Sequence, residues 1–244
     1  MKTVVGIDIS KKYFDAFINN KVQRFQNNNE GISKFVKLLP GESHCLMEST
    51  STYCYSLAKE ILNSGNFAYI VNPLKISYFS KMGLSKAKTD RRDAAMIAKF
   101  GEMNLDELSP YHFASDDLEA AKQIQTVLEQ LKKQRTALLN QLEAIECYPI
   151  RSKDAIKALK KLISILEQQI KELEKEAKKL VTTEHREMAS NISSIKGIGE
   201  DTAVFLISIT KGFFSFKNAR QLSSFFGCSP RIVESGSSVR GRGT

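Results

Sequence analysis

Two runs of apolar residues spaced three and four apart constrain this chain more than any other feature. Leu128, Leu131, Arg135, Leu138, Leu142 and Ile145 mark the first run. Ile156, Leu159, Ile163, Leu166, Ile170, Leu173, Ala177 and Leu180 mark the second. A heptad pattern kept up over several turns requires a long helix with a narrow apolar seam. Cys147-Tyr148-Pro149 interrupts it, because proline offers the helix no N–H and clashes with the turn before it. Two helices around one short break predict an antiparallel coiled-coil hairpin. The pattern leaves open whether the seam closes within one chain or between chains. Arg135, on the seam, disfavours deep burial there and marks either register or a partner surface.

Charge narrows the function classes. The chain has 244 residues, with 36 Lys+Arg against 27 Asp+Glu, a formal net charge of +9. Such a surplus favours a polyanionic partner, nucleic acid or an anionic membrane. It is uneven: residues 1–110 carry 15 basic and 11 acidic residues, 111–189 carry 14 and 13, and 190–244 carry 7 and 3. The positive density is therefore greatest at the C-terminus. The longest uncharged stretch, Ile61 to Leu74, falls short of the roughly 20 residues a membrane helix needs, so no membrane partner is expected. Asp8 comes too early for a signal peptide. Cys45, Cys54, Cys147 and Cys228 form no C-x-x-C pair and no spaced Cys/His ligand set, which argues against a zinc cage and predicts a reduced, cytoplasmic protein. Gly197-Ile198-Gly199 is only a fragment of a dinucleotide fingerprint.

The segment before the heptads alternates strand and helix signals. Strands are predicted at Thr3–Ile9, Lys12–Ile18, Val22–Gln26, His44–Glu48 and Phe67–Val71, the last closed by Asn72-Pro73. Helices are predicted at Asn29–Leu39, Thr52–Asn63 and Lys88–Phe100. An opening meander followed by alternating helices and strands is the order of an RNase H-like (RuvC-like) α/β domain. The expected organisation is that domain over 1–110, the coiled-coil hairpin over 111–189, and a small, mainly α domain over 190–244. Thr202–Ile209 is an apolar run, and Phe213, Phe214, Phe216, Phe225 and Phe226 supply bulk for that last core.

Four carboxylates stand at telling positions. Asp8 and Glu48 each end a β-rich run, and Asp90 and Asp93 sit three apart at a helix start, on one face. Singly, each has a plain structural role: a turn cap, an edge charge, or an N-cap with its capping partner. Together, crowded carboxylates need a compensating charge, and Mg2+ supplies one through oxygen ligands. Two-metal phosphoryl-transfer sites use such clusters to clamp the attacking and leaving oxygens. Near the C-terminus, Lys196, Gly197 and Gly199 resemble the turn of a helix-hairpin-helix, where glycines let backbone N–H groups approach a phosphate. The alternative there is a simple interhelical turn. Ser229, Ser235, Ser237 and Ser238 lie near Arg231, Arg240 and Arg242, whose planar forks match phosphate oxygens. That stretch reads either as a nucleophilic serine with its phosphate grip or as a basic tail.

These stretches carry a family resemblance. Gly6-Ile7-Asp8-Ile9-Ser10-Lys11, Met47-Glu48-Ser49-Thr50, Asn72-Pro73 and Lys88-Thr89-Asp90-Arg91-Arg92-Asp93-Ala94 resemble the N-terminal domain of the DEDD transposases of bacterial insertion sequences, the relatives of the Piv DNA invertase. Ala219-Arg220-Gln221-Leu222, Phe226 through Arg231, and Glu234 through Arg242 resemble that family's second domain. The motifs occur in the family's order over nearly the whole chain. The resemblance implies a RuvC-like domain whose metal-binding acids are Asp8, Glu48, Asp90 and Asp93, and a C-terminal domain whose nucleophile is Ser235, with Ser238 the alternative. It implies Mg-assisted strand transesterification of DNA, a homo-oligomer (dimer or tetramer) whose active site combines different protomers, and a structured guide RNA encoded by the element. Family members continue past the Ser-Gly motif, so an incomplete C-terminal domain is expected. Two other readings of the same residues are a RuvC-type nuclease in which the acids activate water, and an inactive truncated copy that only binds nucleic acid.

Overall fold

The computed structural model describes residues 2–48, 52–82, 90–229, 234–235 and 239–240, with the backbone alone at 90–92 and in the last two pairs. The chain forms two compact units, Met1–Phe113 and Ala114–Thr244.

The first unit is built on a five-stranded mixed sheet. β1 (Val4–Ile9), β2 (Tyr13–Ile18) and β3 (Lys21–Gln26) form the antiparallel meander, and β4 (His44–Glu48) and β5 (Phe67–Val71) run parallel to β1. The spatial order is β3-β2-β1-β4-β5. The predicted strands match these to within one residue at each end. Asn19 and Asn20 both take positive φ between β2 and β3, the left-handed turn that asparagine tolerates. The helices are α1 (Asn29–Leu38), α2 (Cys54–Asn63), α3 (Pro73–Met82) and α4 (Asp90–Asn104).

Alternation along the strands divides the core into two layers. Val5, Ile7, Phe14, Ala16, Cys45 and Met47 point to one face and bury there with Ile32 and Phe35 of α1 and Leu57 and Ile61 of α2. Phe14, Phe25 and Phe35 meet there with ring centroids 5.2–5.4 Å apart. Each such aromatic pair adds ~1 kcal/mol beyond its buried area. The opposite face carries Leu46, Tyr69 and Val71, covered by Ile76 of α3 and Ile97 and Phe100 of α4.

Sequence reasoning missed α3. Asn72-Pro73 was expected only to close a strand. In the fold Pro73 opens a helix, where its missing N–H is harmless, and the Asn72 side chain accepts from the Leu74 N–H at 2.8 Å.

The second unit is mainly helical. α5 (Asp116–Glu146) and α6 (Lys153–Ser193) are the two helices that the heptad runs predicted, broken at Cys147–Ser152. They lie antiparallel: Lys132 pairs with Glu174 at 2.6 Å and, further along α5, Glu146 pairs with Lys160 at 3.5 Å. Exposed pairs of this kind contribute under ~1 kcal/mol each, so apolar burial holds the helices together. Ser115 and Ser152 cap the two helices by accepting from Leu118 and Ala155 N–H groups. α7 (Glu200–Thr210) packs on both at their open end, where Leu118, Ala121, Ala177, Val181, Ala189, Val204 and Ile207 form one cluster. The alanines let three helix backbones approach closely. That packing explains why α7 is apolar on nearly every side. Arg135 is half-buried on the seam, and its Nε has no hydrogen-bond partner among the described residues. α6 leaves helical geometry at His185 (φ −122°, ψ 33°), a kink with no signal in the sequence. α8 (Ala219–Phe225) and a two-stranded ladder, β6 (Glu234–Ser235) with β7 (Val239–Arg240), follow. Among the described residues no helix is long and apolar enough to cross a membrane.

Candidate nucleic-acid processing site

The site is assembled by strand register. β1 and β4 pair in parallel through Gly6↔Leu46 and Ile7↔Met47, so Asp8 and Glu48 come next on adjacent strands at their carboxyl ends. Residues two apart on a strand share a face. Asp8 therefore shares the face of Gly6, and Glu48 that of Leu46.

α4 covers that face. A Cβ on Gly6 would lie 2.1 Å from the Ala94 carbonyl oxygen and 2.2 Å from the Ala98 nitrogen. At the other end of α4, a Cβ on Gly101 would lie 2.7 Å from Leu46 Cδ2 and 2.8 Å from Val4 Cγ1. The helix thus runs antiparallel to β1, from the Gly6 level back toward Val4. Its first turn, with Asp90 and Asp93, lies toward the Asp8 and Glu48 end of the strands. Asp93 is half-buried, one residue before the buried Ala94 and one turn before the buried Ile97. Asp8 and Glu48 are half-buried as well. Asp90 is described by its backbone only. Among the described residues no three His, Cys, Asp or Glu side chains are gathered closely enough to hold a metal ion. The donor set of Asp8, Glu48 and Asp93 is all oxygen, which suits a hard divalent cation.

The register also exposes a partner that sequence reasoning missed. Asp8 pairs across β1–β2 with Asp15, and Asp15 pairs across β2–β3 with Arg24. Glu48, Asp8, Asp15 and Arg24 thus form one row across four strands, on one face. Asp15 is 3% exposed, and Arg24 grips it with both arms, Nε to Oδ1 at 2.8 Å and Nη2 to Oδ2 at 2.6 Å. The Arg24 guanidinium also stacks 4.0 Å over the Tyr13 ring. Neutralising Asp15 relieves Asp8 of a bare negative neighbour. The sequence signal was a lone charge inside an otherwise apolar strand. Arg24→Ala is expected to destabilise the first unit by about 2–3 kcal/mol, because it strands a buried carboxylate. The exposed half of Arg24 keeps the effect below that of a fully buried pair. Urea unfolding measures it, and a loss under ~0.5 kcal/mol would contradict the assignment.

The second unit holds the remaining candidates. Lys196, Gly197 and Gly199 form the turn between α6 and α7, with Gly197 at φ +95° and Gly199 as the α7 N-cap. The turn is exposed, as a phosphate-approaching turn must be. Glu200 and Asp201 occupy the first turn of α7, and Lys178 pairs with Glu200 at 2.6 Å. The positive end of that helix is therefore already matched by carboxylates. Ser235 lies on β6, paired with Val239, while Glu234 pairs with Arg240. Only the backbones of Ser235 and Arg240 are described, and Arg231, Ser237, Ser238 and Arg242 lie outside the described residues.

Comparison with known proteins decides the family. Residues 5–145, more than half of the chain, match a DEDD family of the IS110 type described as "Transposase". Residues 189–244 match a second family description, "Transposase IS116/IS110/IS902 family". The chain belongs to the IS110 transposase family. Its similar relatives include the pilin gene-inverting protein of Moraxella bovis, 30% identical over 252 residues that cover 98% of this chain and 75% of the relative. The pilin gene-inverting protein of Moraxella lacunata is 29% identical over the same shares. The first match spans β1 through most of α5, so the acid-bearing strands and α4 are the IS110 transposase family's own segment.

Proposed function

We propose that this IS110-family member is a DNA transposase or site-specific recombinase, acting by transesterification at a serine with help from a divalent cation, Mg2+. The observation that carries the reading is the parallel pairing of β1 and β4, with Asp8 and Glu48 next in register under the face that α4 covers. The first unit is read as an RNase H-like (RuvC-like) domain, α5 and α6 as a coiled-coil hairpin, and the segment from about residue 190 as the serine-bearing domain.

Asp8, Glu48, Asp90 and Asp93 would hold the cation. When bound, it would offset the charge that builds on the phosphate oxygens during displacement. The carboxylates bind, orient and exclude other ligands, while the Asp15–Arg24 pair keeps the neighbouring strand position neutral. Ser235 Oγ forms a bond to phosphorus as the bond from phosphorus to a deoxyribose oxygen breaks. The serine loses its proton and the leaving oxygen gains one. One phosphodiester replaces another, so no external energy source is needed. Arg231, Arg240 and Arg242 would grip the phosphate, and Lys196, Gly197 and Gly199 would contact the backbone of the duplex. The reading includes a homo-oligomer, dimer or tetramer, and a structured guide RNA.

A trapped covalent adduct tests it. The chain is incubated with end-labelled DNA carrying the element's ends, with Mg2+ or with a chelator, and resolved under denaturing conditions. A labelled protein band that needs Mg2+ and disappears in Ser235→Ala is the expected result. Cleavage without any adduct would replace the reading with a water-based nuclease, and an adduct that survives Ser235→Ala would move the nucleophile to Ser238.

A further inference from the structure

We infer that α3 is a docking surface for single-stranded DNA, with Tyr78 as a base-stacking platform, an inference that rests on the DNA-processing reading above. α3 has an amphipathic pattern turned the unusual way. Ile76 is 3% exposed and packs with Phe79 into the core, as expected of a surface helix. Yet its outer side carries a second apolar stripe: Leu74, Tyr78 and Met82, one turn apart, are 62%, 63% and 82% exposed. Isolated exposed apolar residues are ordinary, but a contiguous stripe of three large ones marks a contact surface.

Charge states what the surface contacts. At about 100° per residue, Lys81 falls on one side of the stripe and Lys75 on the other. α3 contains no acidic residue. The sequence over 83–93 carries Lys86, Lys88, Arg91 and Arg92 against Asp90 and Asp93. An apolar, aromatic strip between two cations fits an unpaired strand, whose bases stack on the ring while phosphates lie near the ammonium groups. A duplex hides its base faces and would leave the stripe wet. Lys81 Nζ already lies 5.6 Å from the Tyr78 ring centroid, a cation beside the stacking face.

Position links the surface to the acids. β5 ends at Val71, the register partner of Glu48, and α3 begins two residues later at Pro73. Val71 and Ile76 share one buried cluster, so the base of α3 stands at the strand end next to Glu48. A strand lying along the roughly 15 Å of α3 would have one end at the acid edge. The surface therefore presents unpaired DNA to the carboxylates.

The test is a binding titration of the full chain by fluorescence anisotropy. Probes are a labelled unpaired DNA oligonucleotide, the same sequence as a duplex, and the same sequence as RNA, each at several salt concentrations. Tyr78→Ala is expected to weaken binding of unpaired DNA about tenfold at every salt. Tyr78→Phe, which keeps the ring, should bind like the parent, and duplex affinity should be unchanged in both. The double variant Lys75→Ala/Lys81→Ala should make the salt slope for unpaired DNA shallower by about 1.4, at roughly 0.7 per phosphate contact. All three side chains are exposed, so thermal unfolding serves as a check that each variant is folded. Equal binding of unpaired DNA by Tyr78→Ala and parent overturns the inference. So does tighter binding of RNA than of DNA, or a smaller oligomer on sizing with DNA affinity intact, which would make the stripe a protein contact. The Mg-dependent adduct assay runs in parallel. An adduct together with unchanged Tyr78→Ala binding would sink this surface and leave the recombinase reading standing. Weakened binding with no adduct would do the reverse.

Discussion

Replacing Asp8 with asparagine is expected to cut Mg-dependent DNA strand cleavage by about a thousandfold or more while leaving the fold intact. The substitution keeps the side-chain shape and one oxygen acceptor. It removes the charge with which Asp8, at the centre of the row Glu48–Asp8–Asp15, would hold the proposed cation. Glu48→Gln should behave alike, since it comes next in register on the adjacent parallel strand. Asp15→Asn is the informative contrast. Asp15 is buried and spent on Arg24, so its loss should lower stability more than cleavage rate. The measurement is cleavage of a supercoiled substrate across a divalent-ion titration, with thermal unfolding of each variant. Cleavage by Asp8→Asn within tenfold of the parent would remove the acids from the chemistry.

The contrast between Asp8 and Asp15 shows where sequence reasoning reached and where it stopped. Asp8 and Glu48 were legible because each ends a β-rich run, and strand ends are where parallel sheets present side chains to a ligand. Asp15 was not legible, because its partner Arg24 is set by the register of a hairpin and not by spacing along the chain. The same limit applied to helices. α5 and α6 announced themselves through long apolar periods, which no shorter-range interaction can imitate. α7 reads as an undivided apolar run because α5 and α6 both pack against it, so apolar residues are needed on more than one face and no clear period is left. α3 was lost for the opposite reason. Its apolar residues fall on two faces, and one of those faces is exposed. Its start was written in Asn72-Pro73, a cap followed by the first helical residue, but the same dipeptide also serves as a turn. The kink at His185 lies between the buried Val181 and Ala189, and nothing local in Thr183–Glu187 breaks a helix.

Gly6→Ala is expected to cost about 4 kcal/mol or more, at the upper limit for a single methyl group. Added bulk in a packed core usually costs about 1–3 kcal/mol, because side chains shift rotamers to receive it. That relief is closed at Gly6. Its new Cβ would stand 2.1 Å from the Ala94 carbonyl oxygen and 2.2 Å from the Ala98 nitrogen, both backbone atoms of α4. Either the helix moves away from the sheet or the sheet bends. Moving α4 opens the layer of Leu46, Ile97 and Phe100 and would carry the start of the helix away from the sheet. Gly101→Ala provides the control on the same helix. There the nearest atoms are the side-chain ends of Leu46 and Val4, at 2.7–2.8 Å, which can turn aside. It should cost about 1–3 kcal/mol and keep the acids in register. Urea unfolding followed by circular dichroism separates the two, and the metal dependence of cleavage, taken at a temperature where both variants are folded, tests the link to function. If Gly6→Ala were no more destabilising than Gly101→Ala, the close seat of α4 on β1 would be wrong, and the proposal that the four acids share one site would lose its support.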